Sequence, residues 1–216
     1  AVDHQRPVAV FSLEMSSVQL VNRLIAGETE IEQEKLKKGN LADHEWQQLH
    51  SRIGRLTEAP LIIDVTPALN VFEFRAKCRS LKAQHDIQMV IVDYLQLMHG
   101  QSEGKGGGNR EQEIGSRSRG LKWVARELNI PVLALSQLSR AVESRPGNSK
   151  RPMLSDLRES GSIEQDADMV LFLYRPEYYG LTEDEEGRPT AGLGEVIIAK
   201  HRNGETGIVP LRFIGK

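Results

Sequence analysis

A single cysteine, Cys78, in 216 residues excludes an intrachain disulfide and a cysteine-based zinc site, and fits a reducing compartment, the cytoplasm. Charge of one sign is also lacking. The 28 Lys and Arg residues against 30 Asp and Glu leave a formal net charge of −2, so any contact with nucleic acid or anionic lipid has to come from a local patch. No hydrophobic run approaches the length of a membrane span, no secretory leader pattern opens the chain, and no repeat recurs at solenoid periods. The 6 histidines are scattered without ligand spacing. What remains is 39% hydrophobic and 27% charged, the composition of a globular domain with one substantial core.

The strongest local signal is the apolar run Met89 to Met98, rich in β-branched residues and interrupted by one carboxylate, Asp93. Such a run predicts a strand buried on both faces of a parallel sheet. Ligands of these sheets sit beyond the carboxyl ends of the strands, where Asp93 would lie. Two readings stand side by side. Asp93 is either a Walker-B-type aspartate holding Mg²⁺ on nucleotide phosphates, or a residue that opens a turn after a core strand.

Upstream, Pro7 to Leu13 is a short apolar run closed by Glu14, and Ser16 with Gln19 has capping-box spacing that starts a helix toward Ala26. Strand, acidic tip and capped helix form half of a βα unit. Glu14 is thus a candidate general base for a water at a nucleotide phosphate, or a carboxylate solvated near a helix N-terminus. Asp43 to Leu56 predicts an amphipathic helix with Asp43 as N-cap and Trp46, Leu49, Ile53 and Leu56 facing inward. Pro60 to Asp64 predicts a strand and Val71 to His85 a covering helix, with Cys78 in the core.

Gly100 to Gly108 is glycine-rich and polar, a loop or linker without the Gly-Lys-Ser/Thr of a phosphate-binding P-loop. Arg110 to Leu128 predicts a locally basic helix. Pro131 to Leu135 predicts a buried strand ending in Ser136 and Gln137, which could contact a phosphate or cap a turn. Arg140, Arg145, Lys150 and Arg151 make the next stretch basic and irregular, suited to tracking phosphates. Arg158, Glu159 and Gly161 lie close together before the strand Met169 to Tyr174, and Gly161 would let a backbone approach a ligand. Glu195 to Lys200 and Gly207 to Phe213 predict two strands joined through Asn203 and Gly204 as a hairpin. Lys200 and Arg202 would share a strand face, to serve a phosphate or to guard an edge. Strands alternating with helices, followed by a hairpin, predict an α/β fold with a mainly parallel sheet and an antiparallel extension.

Five motifs in this order and spacing resemble the C-terminal motor domain of the bacterial replicative DNA helicases, the DnaB family, which has a RecA-like fold. They are Phe11-Ser12-Leu13-Glu14-Met15, the stretch Val92 to Met98, Leu135-Ser136-Gln137-Leu138, the block Ser155 to Asp168, and Ala199 to Gly204. The resemblance implies that Glu14 polarises the attacking water and that Asp93 organises Mg²⁺ on ATP. It implies that Gln137 senses the γ-phosphate, and that Lys200 and Arg202 serve a neighbouring subunit's nucleotide. It implies that Arg158, Glu159 and Gly161 contact single-stranded DNA. Family membership further implies a homo-hexamer, translocation on single-stranded DNA with duplex unwinding, and work with primase and a helicase loader.

The family's P-loop, with its strand and helix, has no counterpart in residues 1–216. The chain therefore reads as a single, N-terminally truncated RecA-like motor domain over 1–216, expected to lack appreciable ATPase activity alone. Without the P-loop strand, apolar surface and unpaired backbone should be exposed unless the sheet rearranges or borrows a strand. The competing functions are a non-hydrolysing module that binds single-stranded DNA or partner subunits, and another RecA-like ATPase of recombination or repair.

Overall fold

A computed structural model describes residues 1–99, 110–145, 150–184 and 187–215, without the side chains of 110–112 and 158–160. The described residues fall into two compact units, one built from 1–99 and 120–136, the other from 110–119 and 137–215.

The first unit carries four short strands, β1 (Val8–Ser12), β2 (Leu61–Asp64), β3 (Met89–Asp93) and β4 (Val132–Ala134), all parallel, in the order β2-β1-β3-β4. Parallel neighbours require long crossovers, and helices supply them. The path from β1 to β2 runs through α1 (Ser17–Thr29), α2 (Gln33–Lys38) and α3 (Asp43–Thr57). Helix α4 (Val71–His85) joins β2 to β3, and α5 (Arg110–Leu128) lies between β3 and β4. The core forms where α4 packs on β1: Phe11 and Phe74, both fully buried, meet edge to face with centroids 4.9 Å apart.

Local chemistry sets the helix ends. The Ser16 hydroxyl accepts from the Gln19 amide and the Gln19 side chain accepts from the Ser16 amide, the reciprocal box that the spacing predicts. Helix α4 covers the predicted span and is capped by Asn70, whose side chain accepts from the Phe72 and Glu73 amides. Asp43 is the first residue of α3 rather than its cap. Ala42 holds the cap position, and the Glu45 carboxylate accepts its amide at 2.9 Å and the Lys35 ammonium at 2.7 Å. Those bonds draw Glu45 inward to 9% exposure, while Trp46, placed on the buried stripe by periodicity, is 43% exposed and stacks on His50. Satisfying the helix N-terminus outweighed the apolar stripe here.

The run Met89 to Met98 is not one strand. β3 ends at Asp93, the Asp93–Tyr94 peptide bond is cis, and Leu95–Leu97 forms a 3₁₀ turn with Leu95 buried. The second unit contains α6 (Gly161–Asp166) and a three-stranded antiparallel sheet of β5 (Met169–Tyr174), β6 (Leu193–His201) and β7 (Gly207–Arg212), in that order. β5 therefore belongs to the antiparallel sheet, an assignment that the alternation of strands and helices left open. Leu157, Val170 and Phe172 form this unit's core. The hairpin between β6 and β7 falls where Asn203 and Gly204 predicted it, and a Cβ at Gly204 would lie 2.4 Å from the His201 ring.

Three strands leave apolar residues open, β4, β5 and β7, the last with Ile208 and Leu211 53% and 51% exposed. β4 borders its sheet, with Leu133 41% and the following Leu135 43% exposed, and Leu171 and Leu173 on β5 are 45% and 80% exposed. No helix among the described residues is long and apolar enough to cross a membrane.

Candidate functional site

The sheet order creates a topological switch point. The connection leaving β1 returns at β2 on one side, and that leaving β3 returns at β4 on the other. The two paths diverge, so the carboxyl ends of β1 and β3 flank the switch point, the position where open parallel sheets bind ligands. Glu14 and Asp93 both lie at this end. Ser12 and Asp93 are register partners, and the Leu13 amide donates to the Asp93 carbonyl at 2.7 Å. The Ser12 hydroxyl donates to the Met15 carbonyl at 3.0 Å, so residues on both sides of Glu14 are tied down. Glu14 is exposed and Asp93 half-buried.

On the β4 side, the Leu135 amide donates to the Val92 carbonyl at 2.9 Å, and the Leu95 amide donates to the Leu135 carbonyl at 2.9 Å. The Gln96 side-chain amide donates to the Ser136 hydroxyl at 2.8 Å. Two of these hydrogen bonds fasten the turn after Asp93 to the strand tip that Gln137 follows, and the third joins that tip to β3; Gln137 itself is exposed.

At the tip of β2, Asp64 accepts from Lys77 on α4, from the Thr66 amide at 2.9 Å, and pairs with Phe11 in register. Burial pulls the Asp64 carboxyl upward, but the Lys77 and Thr66 hydrogen bonds outweigh it and hold the group below the usual carboxylate range. Cys78, next to Lys77 and fully buried, has its thiol pushed up to about 12 by burial and then by the Asp64 charge. It is a core residue, as periodicity predicted.

In the second unit, Lys200 and Arg202 turn to the same helix end. The Lys200 ammonium donates to the Glu164 carbonyl, and the Arg202 guanidinium donates to the Gln165 carbonyl at 3.2 Å and pairs with Asp168 at 3.1 Å. Carbonyls at a helix C-terminus carry partial negative charge, which suits both cations. Gly161 begins α6 with helical angles, φ −52° and ψ −25°, so it makes no left-handed turn. The side chains of Arg158 and Glu159 lie outside the described residues, as does the glycine-rich loop Gly100 to Gly108. The basic stretch is less available to phosphate than its sequence suggests. Arg145 pairs with Asp156, which is 4% exposed, and Arg151 pairs with Glu195.

The first unit thus holds Glu14 and Asp93, and the second holds Gln137, Arg158, Glu159, Gly161, Lys200 and Arg202. Sequence reasoning passed over Ser12, Gln96 and the Asp64–Lys77 pair. Ser12 carried a legible signal, a hydroxyl in an otherwise apolar strand; the other two depend on partners 40 and 13 residues away. Among the described residues no group of three His, Cys, Asp or Glu could hold a metal by itself. Mg²⁺ asks for less: one or two carboxylate oxygens beside substrate phosphates and waters, and Asp93 with Glu14 nearby fits that demand.

Residues 1–216 match the DnaB-like helicase C terminal domain throughout their length. The chain belongs to this family. It is 51% identical over 207 residues to the replicative DNA helicase DnaB of Geobacillus stearothermophilus, covering 96% of this chain and 44% of that protein. Identity to the replicative DNA helicase DnaC of Bacillus subtilis (strain 168) is 49%, with the same coverage. The chain thus spans less than half the length of these relatives. Two solved structures are similar, each at 40% identity over 99% of the chain. One, an ATPase domain, superimposes with a TM-score of 0.88 and is covered to 73%. The other, a DnaB-like replicative helicase described with its interactions with primase, gives 0.87 and is covered to 49%. The architecture is accordingly that of the RecA-like ATPase domains of DnaB-like helicases: a parallel sheet flanked by helices with an antiparallel sheet following.

Proposed function

We propose that this DnaB-like helicase domain is the motor part of an ATP-dependent replicative DNA helicase, which couples nucleotide hydrolysis at subunit interfaces to movement along single-stranded DNA and unwinding of the duplex. The observation that carries the reading is the topological switch point, where the Glu14 turn and Asp93 are tied together through the Leu13 amide and the Asp93 carbonyl. One carboxylate there is exposed to meet a water and the other is half-buried, which suits a division of labour between them.

In this reading Glu14 orients the attacking water and accepts its proton. Asp93 would hold Mg²⁺, which when bound neutralises charge on the nucleotide phosphates. Gln137 offers an amide to the γ-phosphate. Lys200 and Arg202 serve the nucleotide of the adjoining subunit in a homo-hexameric ring, where a planar, permanently charged guanidinium stabilises transition-state charge. Arg158, Glu159 and Gly161 track the single strand. Primase and a helicase loader are the partners, and the cytoplasm is the compartment.

The test is DNA-stimulated ATP hydrolysis by residues 1–216, side by side with a chain extended upstream to include a Gly-Lys-Ser/Thr P-loop segment. Activity in the extended chain alone is the expected result. Robust hydrolysis by 1–216 overturns the expectation that this piece is inactive. Inactivity of both favours the non-hydrolysing binding module.

A further inference from the structure

We propose that Ser12 is a positioning residue for Glu14; the proposal rests on the reading of Glu14 as the water-orienting carboxylate. Glu14 belongs to no helix or strand, so its place is set by its neighbours. Leu13 before it is held to Asp93 by a main-chain bond, and Met15 after it is held by the Ser12 hydroxyl. The Ser16 cap then starts α1. Three consecutive residues are thereby fixed between two hydrogen bonds, one from the backbone and one from a side chain.

The side-chain bond is the one that sequence can vary. Ser12 is 2% exposed in a strand whose other buried members, Val8, Ala9 and Phe11, are apolar. Packing alone would favour an apolar or β-branched residue at such a place. A buried hydroxyl needs a partner, and this one reaches out of the strand to the Met15 carbonyl rather than to another strand. Its hydrogen bond closes the turn that presents Glu14. Without it the Met15 carbonyl loses its donor, and Glu14 is anchored from the Leu13 side only. Misplacement of a catalytic group by about 1 Å costs on the order of 100-fold in rate.

The experiment uses the complete helicase with Ser12→Ala, Ser12→Cys and Ser12→Thr, and Glu14→Gln as reference. Measured are kcat and KM for ATP and the thermal midpoint. Ser12→Ala and Ser12→Cys should lower kcat about 10- to 100-fold with KM and the midpoint little changed, because cysteine fills the space but donates weakly. Ser12→Thr, which keeps the hydroxyl, should restore most of the turnover. Cysteine turnover equal to that of serine shows a space-filling role and overturns the proposal. So does an alanine variant whose loss follows a fallen midpoint and is not rescued by threonine. Normal turnover by Glu14→Gln instead removes the reading of Glu14 itself, a failure separable from that of Ser12.

Discussion

The Leu13 amide donates to the Asp93 carbonyl at 2.7 Å, so the turn carrying Glu14 is fastened to the strand tip carrying Asp93 by main-chain atoms alone. The side chains at 14 and 93 can therefore be changed without cutting the link that brings their strands together. Asp93→Asn in the complete protein should keep the fold and its thermal midpoint, while Mg²⁺-dependent ATP hydrolysis falls by about 100-fold or more, as when a preorganised charge-stabilising group is removed. Turnover within a few-fold of wild type, measured across a Mg²⁺ titration, would take Asp93 out of the site.

Arg202→Ala should abolish hydrolysis by the assembled protein and leave nucleotide binding nearly intact. Its bond to Asp168 joins two half-exposed side chains, so the effect on stability should be under about 1 kcal/mol. Equilibrium binding of a fluorescent nucleotide beside steady-state turnover checks this. Lost binding with normal turnover contradicts a role toward the neighbouring subunit.

Arg158→Ala should weaken single-strand binding and flatten its dependence on salt, by about one unit in the slope of log K against log salt. Titrations of labelled oligonucleotide at several salt concentrations measure the slope directly. An unchanged slope removes Arg158 from the path of the strand.

Gly120→Ala tests packing rather than chemistry. A Cβ there would lie 2.3 Å from Val71 Cγ1, so α4 and α5 meet too closely for any side chain. Overpacking of this kind costs about 1–3 kcal/mol, and Val71→Ala in the same chain should recover most of it. Chemical denaturation of the two single variants and the double variant provides the comparison.

Asp64→Asn should destabilise the protein by about 1.5–3 kcal/mol at neutral pH, the scale of a lost charged hydrogen bond. The folded protein holds the Asp64 carboxyl below its ordinary value, so its contribution is present above the unfolded value and disappears as pH falls through the folded one. The difference between wild type and Asp64→Asn should therefore shrink in acid. A difference that grows toward low pH would reverse the assigned direction.

Much of this protein was legible from residue order. The apolar runs Pro7–Leu13 and Pro60–Asp64 and the first half of Met89–Met98, with the covering helix Val71–His85 and the box at Ser16 and Gln19, required only neighbours in sequence to be read. Five short motifs sufficed for the family. Periodicity misplaced Trp46 because it weighs apolar faces and ignores the donors at a helix N-terminus, which Glu45 satisfies. Alternation with helices left open which sheet β5 joins, because a strand's partner is chosen across space; β5 pairs with β6, the next strand in the chain.

The sequence by itself thus determined most strands and the longer helices, the two carboxylates at strand tips and the family, since these depend on local pattern. Only the tertiary structure decided that β1 lies beside β3, putting Ser12 opposite Asp93 and binding Leu13 to it. It alone committed Arg145 and Arg151 to Asp156 and Glu195, and turned Lys200 and Arg202 to the end of α6. Hydrogen bonds and ion pairs act over a few ångströms in space, and the sequence does not record which distant residues the fold will bring within that reach.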